Sequence, residues 1–360
     1  MLPRLLAALM LVLVAASPVP ARADDAAPSP PTATAPPATV AEQWAVYRGR
    51  FVTDDGRVVD TGNKEVSHTE GQGWAMLLAQ AAGDRASFTR IWDWTRSKLQ
   101  RHDALFSWRY DPNDEKKPVS DTNDASDGDI LIAWALIRAG RTWDEPDYTR
   151  EARRILSDIR RRLIVRAPGR TVLLPGLSGF KGKDGVSLIN PSYYIYPALA
   201  DFNAVLPGPE WGRLRQAGLN LLSDARFGRW GLTPDWVNIG RDGDLSVATK
   251  FPPRFGFEAI RVPLYLIWAG EATPPRLASY LDFWNDYGGK PAPAWTDLKD
   301  NSVAPYAGPT GFRAITELAR AVGGTAPATL PTIGDKDDYY SASLALLAAV
   351  AQGEIPRQAH

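Results

Sequence analysis

An all-α domain of two helical layers is the fold class this sequence predicts, on three observations. Apolar and amphipathic helical stretches alternate along the chain, short turns join them into pairs, and long polar segments separate the pairs. The first helix of each pair is apolar on nearly every side and so predicts burial on all faces. The second carries Arg, Lys, Glu and Asp along one side and so predicts an outer shell. Two concentric layers, an α/α toroid, follow from that division. The same pattern also admits an irregular helical domain or an open solenoid.

AEQWAVYRGRFV, from Ala41, reads as a helix of the outer type. GQGWAMLLAQAAG and DRASFTRIWDWTRSKLQ form the first pair, with Gly83 and Asp84 at the turn. DGDILIAWALIRAG and EPDYTREARRILSDIRRRLI form the second, PSYYIYPALADFNAVL and GPEWGRLRQAGLNLLSDAR the third, FEAIRVPLYLIWAG and PPRLASYLDFWNDYG the fourth. GPTGFRAITELARAVG and DDYYSASLALLAAVAQGE read as two more inner helices. Between pairs, residues 100–126 and 226–255 are long and polar, and TVLLPGL at 171–177 is strand-like. Long loops gathered on one face are where a binding site is built.

Residues 1–23 have a basic start at Arg4, an apolar run from Leu5 to Ala16, and Ala21-Arg22-Ala23 as a small-x-small site. They predict an export signal cleaved after Ala23, with a periplasmic or secreted mature chain. The alternative, an uncleaved anchor, fits less well with so short a run and with Pro18 and Pro20, since a span needs roughly 20 apolar residues. Residues 24–40, rich in Pro, Ala and Thr, predict a disordered spacer. The rest, 41–360, reads as one domain with no membrane span.

The chain has no cysteine, so its core must hold it without disulfides. Lys plus Arg and Asp plus Glu number 41 each, which gives no overall field for nucleic acid or an anionic membrane. His68, His102 and His360 make no metal-ligand spacing, and no cofactor is implied. Thirteen tryptophans in such a chain suit carbohydrate, whose C–H faces stack on flat aromatic rings, although many must be core.

If the inner helices run in one sense, the polar residues ahead of each converge on one face. They are Glu70, Asp127 with Asp129, Ser192 with Tyr193 and Tyr194, Glu258, and Asp337 with Asp338. Each alone reads as well as a helix cap or a first-turn acid. Glu70 fits that reading least, because Glu caps poorly and Gly71 and Gly73 beside it leave room for a ligand to approach the backbone. At the second site Ser126 or Asp127 can be the cap.

In order along the chain, HTEGQGWAM, ASDGDILIAWAL, NPSYYIYPAL and FEAIRVPLYL resemble the signature blocks of glycoside hydrolase family 8, and especially of the endoglucanases encoded with bacterial cellulose synthase. The resemblance runs from about Trp44 to the end of the helical region. It implies an (α/α)6 barrel and an inverting endo-β-1,4-glucanase acting on a β-1,4-glucan chain, with a functional link to cellulose synthesis and export. Inversion uses an acid and a base roughly 6.5–9.5 Å apart. Glu70 matches the family acid, with a pKa raised by Trp74 or a nearby carboxylate. Asp127 matches the aspartate that binds the sugar at the cleavage subsite, and Tyr193 the tyrosine that helps position water.

Where many members carry Tyr-Asp-Ala-x-Arg, this chain has Phe257-Glu258-Ala259-Ile260-Arg261. The resemblance then implies Glu258 as base, held by Arg261; the other reading is a first-turn Glu paired one turn on with Arg. Trp108, Trp236 and Tyr194 are candidates to stack on sugar, whereas Trp92, Trp94, Trp134, Trp268 and Trp284 lie within helices and read as core. Arg109 and Asp121 suit sugar hydroxyls or a local ion pair. Chitosanase and xylanase are rival activities, the acidic runs DPNDE and DTND leaving the first open. A non-catalytic glucan-binding protein is a rival of another class, and a polysaccharide lyase is disfavoured by the lack of a His cluster.

Overall fold

A computed structural model describes residues 39–182, 185–324 and 326–355. The export signal, its cleavage site and the spacer as far as residue 38 lie outside the described residues, as does His360. The last two spacer positions belong to the first helix. Thr39 caps α1 (Val40–Phe51) in a reciprocal box, its hydroxyl accepting the Glu42 N–H at 3.2 Å and the Glu42 carboxylate accepting the Thr39 N–H at 2.7 Å.

Ten further helices follow among the described residues: α2 (Thr69–Ala81), α3 (Arg85–Leu99), α4 (Ser126–Thr142), α5 (Pro146–Asp158), α6 (Tyr196–Val205), α7 (Pro209–Asp224), α8 (Arg261–Trp268), α9 (Pro274–Asn285), α10 (Thr310–Arg320) and α11 (Tyr339–Glu354). Helices α2, α4, α6, α8, α10 and α11 pack each on the next, and α11 returns to α2, which closes the ring and excludes an open solenoid. Outside them, α3 packs on α2, α5 on α4, α7 on α6 and α9 on α10, while α1 covers the α11–α2 junction. Five outer positions are helical; between α10 and α11 the described chain is irregular. The result is an α/α barrel in which all-round apolar α2, α4, α8 and α11 are buried along nearly their whole length. Helix α10 departs from the inner type: Arg313 is exposed and Thr316 and Glu317 are half-buried, so its polar side reaches solvent.

Two boundaries differ from the pattern for local reasons. The outer helix after Pro146 stops at Asp158, passes into a π-helical turn over Ile159–Leu163, and feeds β3 (Ile164–Ala167), antiparallel to β4 (Arg170–Leu173). The strand-like stretch therefore ends at Leu173. The fourth inner helix starts only at Arg261, because the turn before it closes three residues back, the Arg261 N–H on the Glu258 carbonyl at 3.2 Å and the Val262 N–H on the Ala259 carbonyl at 3.0 Å, while Gly256, Glu258 and Ala259 give their N–H groups to the Asp235 side chain.

Small antiparallel pairs brace the loops on the face where the inner helices begin. Strand β1 (Ser67–His68) pairs with β2 (Arg109–Tyr110), and β5 (Ser187–Ile189), β6 (Val237–Ile239) and β7 (Leu245–Val247) form a three-stranded sheet. A last pair joins β8 (Arg254–Phe255) to β9 (Thr296–Asp297). The glycines beside Glu70 serve packing and not ligand approach: a Cβ on Gly71 would strike the Tyr339 hydroxyl at 2.2 Å, and one on Gly73 would strike Leu131 at 2.5 Å. They let α2 lie close against α11 and α4.

Candidate active site

Glu70 is the second residue of α2, whose cap is His68 with no side-chain cap bond. It therefore does no capping. Its carboxylate pairs with Nη1 of Arg261, in the first turn of α8, and the same guanidinium pairs through Nη2 with Glu258. Arg261 is 3% exposed, whereas the Glu70 and Glu258 side chains are 19% and 32% exposed, so the cation is inside and the two acids reach the surface of the site. One buried guanidinium thus spans both carboxylates. The sequence suggests Trp74 or a second carboxylate beside Glu70; the structure places a cation there, with Trp74 beneath that cation at 5.7 Å and its indole N–H given to Tyr265.

Glu258 is held from a second side. The Asn190 amide donates to its Oε2 at 2.9 Å, while Asn190 Oδ1 accepts from the Ser192 hydroxyl at 2.7 Å and Ser192 Oγ accepts from Arg261 Nη2 at 2.8 Å. The reading of Glu258 as a mere first-turn partner of Arg261 leaves out Asn190, which holds it from a separate segment. Burial, the Asp235 charge and the Asp127 charge push its carboxyl above the usual range, against the Asn190 bond and the Arg254 charge.

Asp127 lies in the first turn of α4, whose cap is Ala125, so neither it nor Ser126 caps the helix. Burial raises its carboxyl, opposed by the Gly128 N–H at 2.8 Å, the His68 ring and a bond from the Tyr193 hydroxyl. Burial and the Asp127 and Glu258 charges in turn hold the Tyr193 phenol protonated, which makes it the donor. The Tyr193 ring lies 5.9 Å from the Arg261 guanidinium. Asp129, fully buried, accepts the Phe106 N–H at 2.9 Å and is pushed well up by burial and Asp124; it fastens a loop. Asp338 caps α11 and Asp337 accepts from the Ser341 hydroxyl, so both are structural.

The structure removes two of the three stacking candidates. Tyr194 is 1% exposed, and its hydroxyl accepts the Leu173 N–H at 3.0 Å. Trp236 is 8% exposed and stacks on Phe251 at 4.4 Å and Phe180 at 6.0 Å. A ring so packed among its neighbours offers little surface to sugar. Trp108 remains half-buried, stacked on His68 at 5.7 Å, with its indole N–H given to Asp121 Oδ2 at 2.9 Å. Asp121 is thus a strut for Trp108, its other oxygen taking the Asn123 N–H, and Arg109 is paired to Asp111 at 2.9 Å. Trp108→Ala is expected to raise KM for a soluble glucan by about 3–10-fold with kcat little changed, the size of one lost aromatic platform. Initial rates across substrate concentration decide it, and an unchanged KM removes Trp108 from the groove.

Sequence reasoning missed Asn190, Asp235, Arg254 and Tyr340, which surround Glu258 without touching it in sequence. Asn190 had a signal, as the polar residue ahead of Pro191 in the third block. Asp235 had none, because its partners lie about twenty residues on. Among the described residues no group of three His, Asp or Glu side chains is placed to hold a metal ion.

These features agree with comparisons to known proteins. The family model for glycosyl hydrolases family 8 matches residues 31–354. A probable endoglucanase of Novacetimonas hansenii is 44% identical over 320 residues, 88% of this chain and 92% of that protein. An endoglucanase of Cellulomonas uda is 40% identical over 276 residues, 76% of each chain. The solved structure of the endo-β-1,4-glucanase CMCax from Acetobacter xylinum superposes with a TM-score of 0.83 at 44% identity, covering 88% of this chain and 98% of that one. With the (α/α)6 barrel closed and the family model matched over nearly the whole chain, the chain belongs to family 8 of the glycosyl hydrolases and is an enzyme of that class.

Proposed function

We propose that the protein is an endo-β-1,4-glucanase that cleaves by single displacement with inversion, Glu70 as acid and Glu258 as base. The observation that carries this is the single Arg261 guanidinium between the two carboxylates. It holds both on one partly exposed surface, with neither bonded to the other. In this reading Glu70 gives its proton to the departing glycosidic oxygen. Glu258 takes a proton from a water, which attacks the anomeric carbon from the opposite face. Tyr193 and Asp127 hold that water and the ring at the cleavage subsite. The Glu in place of Asp is accommodated in this reading because Asn190 and Arg261 hold the longer side chain from two directions.

Relatives named endoglucanase support β-1,4-glucan as the substrate. A role beside cellulose export rests on the resemblance to synthase-associated enzymes and on the export signal read in residues 1–23. Among the described residues no helix is long and apolar enough to cross a membrane. The acidic runs that kept chitosan open are committed locally: Asp111 to Arg109, Asp114 to the Lys117 N–H and Asp121 to Trp108. Reducing-sugar release from carymethylated cellulose, chitosan and xylan tests the substrate, and no release from the first overturns it.

Glu258→Gln is expected to lower kcat by about 10³-fold, within the range for a lost general base. In the wild type the base works deprotonated and its carboxyl is raised, so the acid limb of kcat/KM should stand above the ordinary glutamate value of about 4.3. A limb at or below that value contradicts the assignment.

A further inference from the structure

Asp235 lies outside the four signature blocks, in the loop before β6, and is 4% exposed. One of its oxygens, Oδ1, accepts three backbone N–H groups: Gly256 at 2.9 Å, Glu258 at 3.2 Å and Ala259 at 2.8 Å. Its other oxygen faces Arg254 Nε at 3.4 Å, and its own N–H is given to the Arg254 carbonyl at 2.7 Å. The turn that carries Glu258 is therefore wound around a single carboxylate. Tyr340 fastens the same turn from α11, donating to the Phe257 carbonyl. A Cβ on Gly256 would stand 3.1 Å from Asp235 Oδ2, so the close approach depends on glycine there.

A buried carboxylate that spends one oxygen on three consecutive-turn donors sets where the residue between them points. We propose that Asp235 is a positioning residue of the hydrolysis: it fixes the Phe257–Ala259 turn so that the Glu258 carboxylate meets the attacking water.

The proposal rests on the reading of Glu258 as base. Its geometry is independent of which sugar is cleaved. Asp235 acts on Glu258 in two separable ways. The backbone bonds place the side chain, and a mispositioning of about 1 Å at a reacting group costs on the order of 10²-fold in rate. The negative charge, with that of Asp127, opposes ionisation of Glu258, while Arg254 favours it. The other groups around Glu258 are Arg261 with Glu70 behind it, the Asn190 amide, and the Tyr193, Tyr265 and Tyr340 phenols. Only Asp235 and Arg254 come from the loops flanking the turn; substituting Asp235 removes a raising charge and leaves the rest in place.

The test uses the full-length enzyme on carboxymethylcellulose with three variants. Asp235→Asn keeps an oxygen for the three N–H groups and loses the charge. Its kcat on the pH plateau should stay within about threefold of wild type, while the acid limb of kcat/KM moves to lower pH. Asp235→Ala loses the oxygen as well, and kcat should fall about 10²-fold with KM within about twofold. Combined with Glu258→Gln, Asp235→Ala should cost no more than about twofold further, because its effect runs through Glu258. If Asp235→Asn leaves the pH profile unmoved, or if Asp235→Ala lowers the rate of Glu258→Gln as much as that of wild type, the proposal is overturned while the base assignment stands. A Glu258→Gln enzyme of wild-type rate overturns the base assignment and the proposal with it. Should Asp235→Ala fail to fold, the Asp235→Asn profile alone decides.

Discussion

Glu70→Gln should lower kcat on carboxymethylcellulose by about 10⁴-fold, the upper end for loss of a general acid, with little change in thermal unfolding. The amide has the shape of the acid and keeps an oxygen for Arg261, so packing in the first turn of α2 is preserved. What it lacks is a proton to give. Bulk water replaces a lost base more readily than a lost acid, because the departing alkoxide forms inside the site; the deficit should therefore exceed that of Glu258→Gln. The distinguishing measurement uses an aryl cellobioside with a dinitrophenolate leaving group, which departs without protonation. Its deficit should shrink to roughly tenfold. An equal loss on both substrates would mean that Glu70 binds or orients, and does not donate.

Arg261→Ala is the second large effect, and it should appear in stability as well as rate. Removing one partner of a buried pair costs about 3–5 kcal/mol. The two carboxylates it leaves are partly exposed and regain some water, which places this case near 3 kcal/mol. The rate should fall by about 10⁴-fold, since acid and base lose their common support together. Arg261→Lys should recover only part of either loss: one ammonium cannot reach Glu70, Glu258 and the Ser192 hydroxyl from a single point. Denaturant unfolding alongside kcat checks both. A stable but inactive Arg261→Ala would show that the guanidinium serves substrate and not the carboxylates.

The barrel was legible because inner helices must be apolar all round. Met76, Leu77 and Leu78 in α2 and Leu131, Ile132 and Ala133 in α4 leave no polar face, so nothing but burial suits them. Helix α10 reads as inner by its apolar character, and it takes that place, yet its Arg313 shows how short of all-round burial a ring member can be. The late start of α8 was not legible. FEAIRVPLYL has a helical pattern throughout, and nothing in it shows that Arg261 and Val262 bond three residues back, to the Glu258 and Ala259 carbonyls, in a turn fastened to Asp235.

At the candidate site, residue type and position ahead of the inner helices single out the acids, and contacts are what sequence does not carry. An aromatic residue in a loop looks the same in sequence whether it stays half-buried, as Trp108 does, or is packed away among other rings, as Trp236 is. Gly71 and Gly73 likewise mark close approach, but sequence does not say to what. Arg261 was read as a partner of Glu258 one turn back. Its reach to Glu70, 191 residues away in α2, follows only from the closing of the ring.

The arrangement of Glu70 and Glu258 about one guanidinium makes a stereochemical claim, and proton NMR of the first products tests it most directly. Hydrolysis of cellopentaose followed at early times, before mutarotation, should show the α-anomer appearing first at the newly formed reducing end. A β-anomer appearing first would mean that a carboxylate attacks the sugar directly, and the assignment of Glu258 as a base acting through water would be contradicted.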